Sequence, residues 1–213
     1  MTEYHKINSI YKRDPKTNQF IMGDFASPEF AFLADNEWEW TEKVDGTNIR
    51  IIFDHTNKKE APELTFGGRT DKAEIPIHLK IRLSELFFEP AFGGVGVFEH
   101  DNVVLYGEGY GHKIQSGGKY LGEDVDFVLF DVKVGNYWLE RKNVDDVAKV
   151  LGIRSVPVVG HGTIQESIDF VKAGFQSTWG NFTAEGLVIR PTVDMFNRKG
   201  ERIITKIKHR DFM

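Results

Sequence analysis

Two short runs rich in aromatic and β-branched residues flank a tight-turn signal, and they constrain the fold more than any other part of the sequence. The runs are Trp38–Thr41 and Ile49–Phe53, and the turn signal is Asp45-Gly46. Because such residues favour strands and Asp-Gly favours a tight turn, the pattern predicts a β-hairpin. Lys43 would lie at its lip, on the same strand face as Thr41, where the amine could project into a cleft.

Other apolar runs predict further strands and a few helices. Strands are expected at 64–70, 103–108, 126–132, 185–190 and 202–208, and residues 1–37 fit loops with one or two short elements. Helices are expected over 76–88, over 143–152 with Asn143 as cap, and after a capping box of Thr163 and Glu166. The prediction is an α+β fold with mostly antiparallel sheets and flanking helices.

Length and composition exclude several classes of protein. A chain of 213 residues suits one sizeable core, and the absence of cysteine removes thiol nucleophiles and cysteine-ligated zinc. No apolar run approaches the roughly 18 residues of a membrane span, and the start of the chain does not resemble a secretory signal. We therefore expect a cytoplasmic protein without a membrane segment. Dinucleotide and Walker-type phosphate-loop fingerprints are absent from the sequence.

Charge is distributed unevenly along the chain. The net charge is −5, yet the section from Arg190 onward holds seven basic and three acidic residues, and so carries +4. This arrangement suits a site for a polyanion, although a solvated strand edge rich in lysine is the alternative explanation.

Several predicted strands end in polar side chains that could face one cleft. These are Lys43, Asn48, Arg69, Glu108, Glu185, Lys206 and Lys208. A lysine amine is almost fully protonated at neutral pH, so a nucleophilic lysine needs desolvation or cationic neighbours. Lys206 and Lys208 share one face of their strand, opposite Ile207, and could supply that positive field to Lys43.

Five segments together resemble the covalent nucleotidyltransferase superfamily, which has an ATP-grasp-like ligase fold. They are Glu42–Asn48, Tyr106–Glu108, Phe127–Asp131, Ala184–Arg190 and Thr205–Lys208, which resemble motifs I, III, IIIa, IV and V. The Thr47-Asn48 ending and the segment Gly107–Gln115 are most similar to ATP-dependent RNA ligases, especially the RNA ligase 2 type. We expect one nucleotidyltransferase domain over 1–213 and a monomer, and the expected absence of an OB domain departs from DNA ligases and capping enzymes.

The resemblance also implies a reaction and a set of site residues. Lys43 would attack ATP to form lysyl-AMP, with catalytic help from Lys206 and Lys208, and Mg²⁺ or Mn²⁺ would bridge phosphate oxygens. The AMP would pass to a 5′-phosphate end of RNA, and a 3′-hydroxyl would then displace it, as in RNA repair. Asn48 and Arg69 would contact phosphate or RNA ends, Glu108 would hold ribose, Phe130 would stack on adenine and Glu185 would position a metal. The other implied nucleotide-site residues are Glu42, Lys206 and Lys208.

Alternatives remain open at the level of sequence. Phe130 could be ordinary core, and Glu108 and Glu185 could be strand-end carboxylates facing water. An ATP-dependent DNA ligase core or a capping guanylyltransferase would share the lysine chemistry. A catalytically silent RNA-binding or end-binding module on the same scaffold is the alternative from another class, and the basic C-terminal section motivates it.

Overall fold

The structure, a computed structural model, describes residues 3–54, 63–87 and 102–213. These residues form two compact units. The first comprises Asp45–Val156 with the start of the chain up to Tyr4, and the second comprises His5–Val44 and Pro157–Met213. No helix in these three ranges has the length and apolar character needed to cross a membrane.

Strands dominate the described chain. The strands are β1 (Asn8–Ser9), β2 (Tyr11–Arg13), β3 (Phe20–Phe25), β4 (Trp38–Glu42), β5 (Thr47–Asp54), β6 (Glu63–Gly68), β7 (Val103–Gly111), β8 (Val125–Val134), β9 (Tyr137–Trp138), β10 (Arg154–Ser155), β11 (Val158–Gly162), β12 (Gly186–Pro191) and β13 (Thr205–Lys208). The helices are α1 (Pro28–Phe32), α2 (Ile77–Leu86), α3 (Gly118–Leu121), α4 (Arg141–Val150) and α5 (Ile164–Ala173), and a 3-10 helix covers His209–Phe212.

The first unit is built on a sheet with strand order β10-β8-β7-β5-β6, with β9 paired to β8. Its pairs are antiparallel except that of β10 with β8. Ile49 and Ile51 of β5 are fully buried in a core that also contains Leu79 and Leu83 of α2. Because side chains alternate along a strand, Asn48 and Arg50 occupy the other face of this sheet.

The second unit is built on a sheet with strand order β1-β13-β12-β4-β11, and β2 and β3 form a separate pair. Only the β1–β13 pair of this sheet is parallel. Its core includes Trp38, Ile189 and Ile207, and Ile164 and Ile168 of α5 pack in the same cluster. The mostly antiparallel α+β architecture predicted from sequence is confirmed.

The predicted hairpin around Asp45-Gly46 is wrong, because its two strands belong to different sheets. Strand β4 pairs with β11 and β12, whereas β5 pairs with β6 and β7. The glycine meets a different need: a Cβ at Gly46 would lie 2.3 Å from the carbonyl oxygen of Gly109. The Asp-Gly signal therefore marks close backbone approach to β7, and long-range pairing overrides the local turn preference.

The three predicted helices are present at the predicted positions, but one predicted N-cap residue is wrong. Thr163 and Glu166 form the expected capping box, with the Glu166 N–H donating to Thr163 Oγ1 at 3.2 Å and the Thr163 N–H donating to Glu166 Oε2 at 2.7 Å. Asn143 is not the cap of α4, because the helix begins at Arg141 and the Val144 N–H already donates to Glu140 O. The last predicted strand is shorter than 202–208 and covers Thr205–Lys208.

Candidate active site

Three neighbouring strands of the second unit bring Lys43, Glu185 and Lys208 together. Gly186 is opposite Lys208 in the β12–β13 ladder, and the Lys43 N–H donates to Gly186 O at 2.9 Å. This backbone arrangement places Glu185 between the two amines. Lys43 Nζ lies 2.6 Å from Glu185 Oε2, and Lys208 Nζ lies 2.6 Å from Glu185 Oε1. The single carboxylate thus fixes both amines by charge-assisted hydrogen bonds.

Lys206 contributes a third amine to the same group. It lies two residues before Lys208 on the same strand face, and Ile207 between them is fully buried, as predicted. Burial lowers the pKa of Lys206, and the positive charges of Lys208, Lys43 and Lys6 lower it further, against a smaller opposing effect of Glu185. The structure therefore concentrates positive charge next to Lys43.

Glu42 precedes Lys43 but points the other way, into the protein. Its side chain is 1% exposed, and it accepts hydrogen bonds from the Ser177 hydroxyl at 2.5 Å and from the Thr178 N–H and hydroxyl, each at 2.8 Å. Both carboxylate oxygens are used within the protein. The side chain thus has a structural role that the sequence did not reveal, and a contact between Glu42 and a nucleotide stays a prediction.

The segment held by Glu42 leads directly to Glu185. It forms a turn in which the Ser177 N–H donates to Phe182 O at 2.8 Å and the Ala184 N–H donates to Phe175 O at 2.9 Å. The sequence gives only a weak signal for this contact, because Ser and Thr in a turn more often bond locally. Glu42 thus fastens the backbone on both sides of the amine–carboxylate cluster.

The first unit holds the other four candidate residues. Asn48 and Glu108 are direct partners in the β5–β7 ladder, so their side chains share one sheet face. The Asn48 Oδ1 atom is buried and has no hydrogen-bond partner within the described ranges. Arg69 is exposed just beyond β6. Phe130 is partly buried, and its ring packs edge-on against Tyr4 with centroids 5.1 Å apart.

The candidates are divided between the two units. One set is Lys43, Glu185, Lys206 and Lys208 with Glu42 beneath, and the other is Asn48, Glu108, Arg69 and Phe130. The common cleft expected from sequence stays a prediction. Within the described ranges, no group of three or more acidic or histidine side chains could hold a metal by itself.

Comparison with known proteins assigns the chain to a family. A model of the RNA ligase family matches residues 36–208, a segment that contains all nine predicted site residues. The chain therefore belongs to the RNA ligase family.

Solved structures of an RNA ligase from Naegleria gruberi share the fold. A variant with ATP and Mn matches with a TM-score of 0.65 at 17% identity, over 97% of this chain and 57% of that one. A structure with PPi matches with a TM-score of 0.62 at 19% identity, over 87% and 53% of the two chains. An apo variant gives a TM-score of 0.61 at 18% identity, and this chain covers 51% of it. The chain thus spans little more than half the length of these ligases, and it has the nucleotidyltransferase-type ligase fold.

Proposed function

We propose that this protein is an ATP-dependent RNA ligase that works through a lysyl-AMP intermediate. The observation that carries the proposal is the placement of Lys43 Nζ 2.6 Å from Glu185, whose second oxygen holds Lys208. A simple surface lysine needs no such partner, whereas a nucleophilic amine gains from being oriented before it reacts. Membership of the RNA ligase family supports the same reaction.

In the first step, the Lys43 nitrogen attacks the α-phosphorus of ATP. The N–P bond forms while the bond from that phosphorus to the β-phosphate oxygen breaks, and pyrophosphate leaves. The ammonium must first lose a proton, and the hydrogen bond to Glu185 Oε2 gives that proton an acceptor. Lys206 and Lys208 offset the negative charge that develops on the phosphate oxygens.

In the later steps, an oxygen of an RNA 5′-phosphate attacks the phosphorus of lysyl-AMP, and the N–P bond to Lys43 breaks. A 3′-hydroxyl then attacks the phosphorus of the RNA 5′-phosphate, forms the new phosphodiester and displaces AMP. Glu108 would bind ribose, Phe130 would stack on adenine, and Asn48 and Arg69 would contact phosphate or RNA ends. The buried Asn48 Oδ1 supports its assignment, because a buried acceptor without a donor is costly and a ligand donor would satisfy it.

A divalent metal fits this site only together with phosphate ligands. Magnesium commonly binds through one or two carboxylates, several waters and substrate phosphates. Glu185 would hold it, since each carboxylate oxygen has a second lone pair beside the one that accepts from an amine. When bound, the metal would neutralise phosphate charge. The choice of Mg²⁺ or Mn²⁺, a monomeric state and a cytoplasmic location stay predictions.

The test is transfer of label from α-labelled ATP to the protein in the presence of Mg²⁺, followed by separation under denaturing conditions. The wild type should retain the label, and Lys43→Ala should retain none. Lys12→Ala is the matched control, because Lys12 is an exposed lysine of the same unit that pairs with Asp24. Label on Lys43→Ala, or none on the wild type, would contradict the proposal.

Substrate panels separate the related enzymes. GTP in place of ATP would indicate a capping guanylyltransferase, and sealing of nicked DNA in preference to nicked RNA would indicate a DNA ligase core. A binding module would retain RNA affinity in Lys43→Ala and form no labelled intermediate.

A further inference from the structure

An open groove in the second unit extends away from the lysine pair of β13. It has a volume of about 770 Å³, and its charged lining residues are Lys6, Arg13, Lys206, Lys208, Arg210 and Asp211. None of the roles proposed above involves Lys6, Arg13 or Arg210.

The groove is fixed by pairing between distant parts of the chain. Strand β1 lies parallel to β13, with Ser9 opposite Lys206, and the Ile10 N–H donates to Lys206 O at 3.3 Å. The Thr205 hydroxyl donates to Asn8 O at 3.0 Å. These bonds hold the segment that carries Lys6 against the strand that carries Lys206 and Lys208.

Positive charge in the groove exceeds the available negative charge. Five lining residues are cationic and one is acidic. Arg13 pairs with Asp211 at 2.8 Å, and Lys208 pairs with Glu185 at 2.6 Å. Over the described ranges, Lys6, Lys206 and Arg210 have no carboxylate within 4.0 Å.

Cations gathered in one groove repel one another, and a bound anion would offset that repulsion. Burial lowers the pKa of Lys206, and the nearby charges of Lys208 and Lys6 lower it further, as expected for cations that lie close together. The volume is far larger than one ion needs, and the neutral lining side chains of Asn8, Asn18 and Gln19 can donate hydrogen bonds to phosphate oxygens. These features suit a chain of phosphates.

We propose that this groove is a phosphate-binding subsite, in which Lys6 and Arg210 hold a phosphate chain that extends from Lys206 and Lys208. This inference rests on the proposed function, which identifies the bound phosphates. They are either the β- and γ-phosphates of the nucleotide or consecutive phosphodiesters of the RNA. Lys6 and Arg210 are binding residues of this subsite and take no part in bond making.

The experiment uses Lys6→Ala, Arg210→Ala and the double variant, with Lys16→Ala and Arg198→Ala as matched controls. The controls remove the same charges from exposed positions that do not line the groove. Arg13 is left intact, because its removal would also free Asp211 and expose Phe20, over whose ring it lies at 4.3 Å. Circular dichroism verifies that each variant is folded.

Two binding measurements require no catalysis and so remain informative if the ligase proposal fails. One is calorimetric titration with inorganic pyrophosphate, and the other is titration of a 5′-phosphorylated RNA oligonucleotide at several salt concentrations. Two kinetic measurements test the separate steps of the reaction. One is the rate of label transfer as a function of ATP concentration without RNA, and the other is the rate of sealing of already adenylylated RNA without ATP.

Weakened pyrophosphate binding and a raised KM for ATP would assign the groove to the nucleotide. Weakened RNA binding, a salt slope lower by about 1 for each lost phosphate contact, and slower sealing would assign it to RNA. We expect the double variant to lose about tenfold in affinity for one of these two ligands, as two charge-assisted contacts would account for. Affinities for both ligands within twofold of the control variants would overturn the proposal.

Discussion

The regions around Glu42 and Glu185 lie at the ends of adjacent strands, yet they use the same side chain in opposite ways. Glu42 is buried, and the hydroxyl and amide groups of Ser177 and Thr178 satisfy it. Glu185 is 9% exposed at its side chain and binds two ammonium groups. A carboxylate that accepts hydrogen bonds from groups within the protein holds segments of backbone in place. A carboxylate that is shared between two amines holds their positive charges in place. The comparison predicts that loss of Glu42 affects stability most and loss of Glu185 affects activity most.

The largest expected effect is that of Glu185→Gln on label transfer from ATP. The substitution keeps the size of the side chain but removes the charge that orients Lys43 and Lys208, so we expect a loss of about 100-fold or more. The measurement is the rate of formation of labelled protein, with Glu201→Gln, an exposed glutamate of the same unit, as control. A rate within threefold of the wild type would break the comparison.

A smaller effect is expected on stability, from Glu42→Ala. The substitution leaves the buried Ser177 hydroxyl and the Thr178 N–H without their acceptor, so the free energy of unfolding should fall by about 2–4 kcal/mol. Urea denaturation measures this change. Ser177→Ala should lose less, because Glu42 keeps both donors of Thr178, although the Trp179 N–H loses an acceptor. If Glu185→Ala proves more destabilising than Glu42→Ala, the contrast between the two regions is wrong.

The smallest effect concerns the pH dependence of stability. The folded-state pKa of Lys206 lies below its unfolded value because of burial and the neighbouring charges of Lys208, Lys43 and Lys6. Between these two pKa values the unfolded chain binds more protons than the folded chain, so the free energy of unfolding rises with pH. At pH values below the folded-state pKa, Lys206 is charged in both states and its destabilising effect is fully present.

Lys206→Met should accordingly raise stability at neutral pH and flatten the rise toward alkaline pH, by about 1 kcal/mol or less. Urea denaturation of both proteins between neutral and alkaline pH tests this. An equal slope for the wild type and Lys206→Met would show that the charges around Lys206 are too well screened to matter.

Local sequence patterns predicted the parts of the fold that depend on near neighbours. Alternation along a strand gave the shared face of Lys206 and Lys208 opposite Ile207, and the spacing of Thr163 and Glu166 gave the capping box. The prediction of a hairpin at Asp45-Gly46 was wrong, because it used a local signal to infer which strands pair. A turn signal reports the conformation of a few residues, but the partner of a strand is chosen by burial across the whole chain.

The sequence by itself determined the class of fold, the family resemblance and which lysines and carboxylates are candidate site residues. This was possible because periodicity and the order of motifs can be observed directly in the sequence. Only the tertiary structure decided that Glu42 faces inward to Ser177 and Thr178, and that Lys6 lies in one groove with Lys206 and Arg210. The Glu42–Ser177 bond joins residues 135 positions apart, and the Thr205–Asn8 bond that helps to fix the groove joins residues 197 positions apart. No local preference encodes them, since they arise from packing and strand pairing that form only when the chain has folded.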